Sequence, residues 1–135
     1  MNTNLVLNFQ SPEPLLTLTF EDTGKVAYAY LKNDGKIVGD VWLYNHLSID
    51  KPEWDNPNNA PFLNPTSYIN PNGGIIKKDI TIHDVLVDWE KENNSYVAYI
   101  YIFEDLYGVI AEGDKPGYAR YATVSNPIAK VMEIE

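Results

Sequence analysis

Two dipeptides, Asp34-Gly35 and Asn93-Asn94, each stand between runs in which apolar and polar residues alternate. A two-residue hairpin turn of type I′ needs positive φ at both central positions, which Asn, Asp and Gly tolerate. The turn sets the register, and the register decides which side chains share a face. In the segment Asp84 to Glu90 and Val97 to Phe103, a turn at Asn93-Asn94 sets Asp84 opposite Phe103 and Leu86 opposite Tyr101. It also sets Asp88 opposite Tyr99 and Glu90 opposite Val97. That face is acidic and aromatic. The other carries Val85, Val87 and Trp89 against Ile102, Ile100 and Ala98, a plain core side.

The first hairpin, Lys25 to Asn33 with Lys36 to Tyr44, turns at Asp34-Gly35. An unbroken register sets Val26 against Leu43, Tyr28 against Val41 and Tyr30 against Gly39, where the ring would cover bare backbone. The opposite face pairs Ala27 with Trp42, Ala29 with Asp40 and Leu31 with Val38. Both faces are rich in apolar residues, so this hairpin is expected to be covered on both sides.

Earlier in the chain, Leu5, Leu7 and Phe9, then Leu16, Leu18 and Phe20, repeat at the strand period of two. Ser11-Pro12-Glu13-Pro14 interrupts them, because proline has no amide to give a ladder. Further strands are expected over Ile75 to Glu92, Ser95 to Glu104, Tyr107 to Glu112, Tyr118 to Val124 and Ile128 to Ile134. A turn is expected around Asp114-Lys115-Pro116-Gly117. Tight hairpins join antiparallel strands. About seven to nine strands at this spacing predict an all-β domain, a mainly antiparallel sandwich or a partly closed barrel, with little helix. The 135 residues fit one domain, 1–135.

Residues 45–74 break the pattern with Pro52, Pro57, Pro61, Pro65 and Pro71 and close on Asn72-Gly73-Gly74. Loops of this length are commonly functional or disordered. Trp54, Phe62, Leu63, Tyr68 and Ile69 are too many apolar anchors for a flexible linker, so the loop is expected to be ordered, with Trp54 substantially buried.

The chain carries 19 acidic and 10 basic residues, a net charge of -9. Such a field repels nucleic acid and anionic membranes and attracts basic partners. There are no cysteines, which removes disulfides, thiolate metal sites and cysteine nucleophiles. The first nine residues lack the pattern of a secretory signal, and no run approaches the ~20 apolar residues of a spanning helix. A cytoplasmic protein is the expectation.

Catalytic motifs are missing. Asp84, Asp88 and Glu90 share a face, but a strand rise of ~3.4 Å per residue separates Asp84 from Asp88 by ~13 Å, wide for a glycosidase pair. His46 and His83 are the only histidines and fall short of a three-ligand zinc site; both are expected to be half-exposed. No serine sits in a Gly-x-Ser-x-Gly elbow, and Asn72-Gly73-Gly74 lacks the lysine of a phosphate loop. No cofactor, metal site or enzymatic activity is expected.

The acidic aromatic face is the candidate partner-binding surface: Asp84, Asp88, Glu90, Tyr99, Tyr101 and Phe103. Tyrosine gives rigid contact area at low entropic cost, and carboxylates with ring faces suit Lys and Arg. In type, a small, acidic, cysteine-free, motif-less, bacterial-looking domain resembles many immunity proteins, which occlude a basic toxin. That resemblance implies a non-enzymatic protein binder. Two alternatives stand beside it. One is a small-molecule binder or enzyme with a cavity between sheet and loop, lined by Trp42, Tyr44, His46, Trp54 and Tyr68. The other is a homo-oligomer, with a homodimer as its simplest form, whose aromatic face pairs with itself.

Overall fold

The computed structural model describes residues 4–12 and 15–132. Among the described residues nine strands form two sheets packed face to face, a β-sandwich and not a closed barrel. The first sheet is a four-stranded meander: β1 (Leu5–Gln10), β2 (Leu16–Asp22), β3 (Val26–Asn33) and β4 (Lys36–Asn45). The second runs β5 (Val85–Glu92), β6 (Ser95–Ile102), β7 (Asp105–Ala111), β8 (Tyr118–Ala119) and β9 (Lys130–Val131). Among the described residues helical structure is confined to single turns, the longest being Pro71–Gly74. No helix among the described residues is long and apolar enough to cross a membrane.

The core lies between the sheets. Leu18, Phe20, Leu31, Val41 and Leu43 from the first meet Ala98, Ile100, Ile102 and Ile110 from the second, all without accessible surface. At about 25 cal/mol per Å² of apolar area, interlocked aliphatic side chains of this kind supply the main drive to fold.

The β3–β4 turn sits at Asp34-Gly35 with φ of 52° and 81°, as expected. The register beyond it is not the unbroken one. Val38 and Leu43 are extra residues in β4, so Leu31 faces Gly39, Tyr30 faces Asp40, Ala29 faces Val41 and Tyr28 faces Trp42. Tyr30 therefore does not cover Gly39. That glycine lies close against β7 and the turn after it: a Cβ there would stand 3.0 Å from Ile110 Cδ1 and 3.1 Å from Asp114 O. Bulges turn a strand locally and re-aim its side chains. Here they accompany a run of buried residues, Val41 to Asn45, covered on both faces as the hairpin pattern predicted.

The β5–β6 hairpin keeps the expected register along its whole length, with Leu86 opposite Tyr101, Asp88 opposite Tyr99 and Glu90 opposite Val97. Asn93 and Asn94 have φ of 51° and 67°, the left-handed pair that a type I′ turn requires. The strand starts only at Val85; residues 75–84 are irregular and end in a turn at Ile82–Asp84. A second left-handed pair, Phe103 and Glu104 at 53° and 71°, turns β6 into β7 where the sequence suggested continued strand. β8 is two residues long, and β9 joins it in parallel. Residues 133 and 134 of the expected last strand lie outside the described residues, as do Glu13 and Pro14 of the first break.

The long loop is ordered and tied to the first sheet and to the segment after β8. Asn45 and Ile75 form a parallel bridge, Ile69 and Ala122 an antiparallel one, and Asn70 N–H donates to Tyr121 O at 2.8 Å. Leu63 and Ile69 are buried anchors. Trp54, Phe62 and Tyr68 are half-buried, and Trp54 lies 6.0 Å from the Tyr68 ring instead of entering the core. The polar links explain why less apolar anchoring suffices: Tyr28 OH donates to Phe62 O (2.7 Å), Asn45 Nδ2 to Asn64 O (2.7 Å) and Asn64 N–H to Asn45 Oδ1 (3.0 Å).

Candidate functional site

The β5–β6 hairpin gives the second sheet its outer face. Odd-numbered residues of β5 turn inward, so Leu86, Asp88 and Glu90 point out beside Tyr101, Tyr99 and Val97 of β6. The extra residue of β7 is Tyr107, which is buried and donates its hydroxyl to Gly73 O at 3.0 Å. That bulge leaves Leu106 opposite Tyr101 and Val109 opposite Tyr99. One row thus crosses all five strands: Asp88, Tyr99, Val109, Tyr118, Lys130. It runs from an acid, over two tyrosines, to a lysine whose Nζ lies 5.4 Å from the Tyr118 ring centroid.

The face is open to solvent. Leu86 is 63% exposed and Tyr118 41%, while Tyr99 and Tyr101 are half-buried against their neighbours. Asp88 and Glu90 are exposed. Tyr99 OH donates to Glu92 Oε2 at 3.0 Å, and partial burial together with that bond raises the phenol pKa. The tyrosine stays a neutral donor at physiological pH.

Two expected members of the face do other things. Asp84 lies in the turn before β5, where Thr81 N–H and Oγ1 donate to its Oδ2 at 2.9 and 3.2 Å. This is a capping box, so the carboxylate is occupied in holding the turn. Phe103 remains beside Asp84, its N–H donating to Asp84 O at 3.0 Å, but it sits at the turn with Lys78 Nζ 4.3 Å over its ring.

The proposed cavity residues fall in two groups. Trp42 and Tyr44 have no accessible surface, and His46 is buried with them. Trp54 and Tyr68 pack on each other at the surface of the loop. A ligand would have to displace packed side chains to touch Trp42 or Tyr44.

His46 is a correction to the expectation of a half-exposed residue; His83 alone is exposed. His46 Nδ1 faces Ile76 O at 2.6 Å and Nε2 faces Asp22 Oδ2 at 2.8 Å. Both partners accept, so the site suits the protonated ring, which donates from both nitrogens. Burial works against that charge, but the bonds to Asp22 and Ile76 outweigh it and raise the His46 pKa. Asp22 is held low: burial opposes its charge, yet hydrogen bonds from His46, Tyr44 (2.6 Å) and Gly24 N–H (2.8 Å) prevail. While protonated, the imidazole has no lone pair for proton abstraction. Sequence offered no signal for this pair, whose members are distant along the chain and meet only through the packing of β2 on β3 and β4.

Among the described residues no group of three His, Asp or Glu side chains could hold a metal ion. Comparison with protein-family models, curated proteins and solved structures finds no match.

Proposed function

We propose that this domain is a non-enzymatic binding protein that captures a basic protein partner on the outer face of its second sheet. The single observation carrying this reading is the open face itself: Leu86, Tyr99, Tyr101 and Tyr118 are left accessible next to Asp88 and Glu90, while the long loop is anchored elsewhere. Apolar and aromatic area of this kind supplies contact energy, and the surrounding carboxylates raise the capture rate and orient the partner. The net charge of -9 favours a basic partner over nucleic acid. Occlusion of a basic toxin by an immunity protein is the biological setting that fits such a surface.

The test is affinity capture from extract of the source cells at low ionic strength. Unaltered protein is compared with Asp88→Asn/Tyr101→Ala and with Val6→Ser, which lies on the exposed side of β1. The expected result is a basic protein retained by the first and third and lost by the second. Retention by all three alike would contradict the reading.

A further inference from the structure

The open face ends at a strand edge. β5 is the terminal strand of its sheet. The Phe103 N–H donating to Asp84 O marks one hydrogen-bonded pair, and such pairs alternate along an antiparallel ladder. Leu86, Asp88 and Glu90 therefore direct their main-chain groups to β6, and Val85, Val87 and Trp89 direct theirs away from it. Edges are usually blunted by charged side chains, by proline, by a bulge or by a covering segment, and the charges of β5 are Asp88, Glu90, Lys91 and Glu92. β5 has no proline and pairs without a register shift. The outer edge of β4 is covered by contrast: Asp40 N–H donates to Asp114 O, Trp42 N–H to Ile128 O and Gly117 N–H to Asp40 O. At the start of β5 lies an open groove of about 810 Å³, lined by residues 83–88 with Tyr101, Phe103 and Glu104.

We propose that β5 receives an extended segment of a basic protein as an added strand, with Lys or Arg at alternate positions. This rests on the reading of the outer face as a partner-binding surface and states how the partner lies on it. Main-chain groups of Val85, Val87 and Trp89 bind the added strand, as in other cases of strand addition. Its outward side chains come beside Leu86, Asp88 and Glu90, where cations are favoured. Its inward ones come beside the half-buried Val87 and Trp89, where apolar residues are favoured. Phe103, which lines the groove, already has the Lys78 ammonium 4.3 Å over its ring. A second copy of the chain is the wrong occupant. Pairing β5 with itself would set Asp88, Glu90 and Glu92 of two molecules along one seam, and like charges across strands repel.

The probe is the peptide acetyl-Val-Lys-Val-Lys-Val-Lys-Val-amide, with its Val/Glu counterpart and a form N-methylated at alternate residues as controls. Titration is followed by nuclear magnetic resonance, with hydrogen exchange at the Val85, Val87 and Trp89 amides. The lysine peptide should bind and slow exchange at those three amides, and N-methylation should weaken it about tenfold or more. The glutamate peptide should not bind. Val87→Pro, which removes a donor that β6 does not use, should weaken binding similarly while leaving the β5–β6 ladder intact. Equal affinity for plain and N-methylated peptides on the unaltered protein would overturn the added strand. If Asp88→Asn still weakened binding in that case, the face would remain the site and only the edge inference would fail. A concentration-dependent dimer of the protein alone, abolished by Val87→Pro, would assign the edge to a second copy and overturn the proposal.

Discussion

His46 Nε2 lies 2.8 Å from Asp22 Oδ2, and both side chains are almost wholly shielded from water. Tyr44 OH donates to the same carboxylate oxygen. The three residues join β2 to the end of β4, just where the long loop departs, so the pair fastens the loop's root as well as the sheet. A buried charge pair of this sort contributes through completeness: removal of one partner strands the other, at a cost of about 3 to 5 kcal/mol.

The pair makes stability depend on pH in a defined sense. The folded-state pKa of His46 is raised, so its contribution is complete below the unfolded value of 6.5 and is lost as pH rises through the folded value. That of Asp22 is lowered, so its contribution is complete above 3.8 and is lost as pH falls through the folded value. The stabilising effect of the pair is therefore full between pH 3.8 and 6.5. Urea unfolding of the unaltered protein and of His46→Gln across pH 4 to 9 should show a difference that is largest near pH 5 to 6 and shrinks above it. A constant difference would mean that His46 is neutral throughout.

Asn45 ties the root of the loop through a buried set of hydrogen bonds. Asn45 Oδ1 accepts from Trp42 Nε1 (2.8 Å) and Asn64 N–H, and its Nδ2 donates to Asn64 O. Asn45→Leu leaves three buried groups without partners. At about 1 kcal/mol or more for each, a loss of ~3 kcal/mol is expected. Limited proteolysis should then cut between residues 46 and 74 in the variant well before it cuts the parent. Trp54→Ala, at a half-buried site, should have the smaller effect on both measurements.

Gly108 marks a close approach of β7 to the first sheet. A Cβ there would lie 2.7 Å from Leu43 Cδ2, and Leu43 is enclosed and cannot swing away. Gly108→Ala should destabilise the domain by about 1 to 3 kcal/mol through overpacking. Thermal or denaturant unfolding checks this, and an unchanged midpoint would show that the sheets can part at that point.

The β5–β6 hairpin was legible in the sequence because its register has a purely local cause, a two-residue turn of two asparagines followed by strands without bulges. The β3–β4 register was not legible. Its turn was plain, but the bulges at Val38 and Leu43 come with the packing of Gly39 and Leu43 against the second sheet, residues more than sixty positions away. Likewise, the acidic aromatic face followed from alternation alone, whereas Asp84 was claimed by a capping box whose other half, Thr81, lay in a segment read as strand. The Asp22–His46 pair belongs to the same class of non-local fact. Alternation shows which way a side chain points and not what it meets there.

With the retained partner in hand, the most direct measurement is its binding isotherm against Tyr101→Ala and Asp88→Asn at low and moderate salt, alongside the unfolding midpoint of each variant. Tyr101 offers an anchor and Asp88 an exposed charge. Tyr101→Ala should weaken binding by about 2 kcal/mol at either salt. Asp88→Asn should cost about 1 kcal/mol and lose most of that effect as salt rises. Neither should shift unfolding appreciably. Undiminished affinity in both variants, or a loss that merely tracks unfolding of Tyr101→Ala, would contradict the claim that the outer face of the second sheet binds the partner.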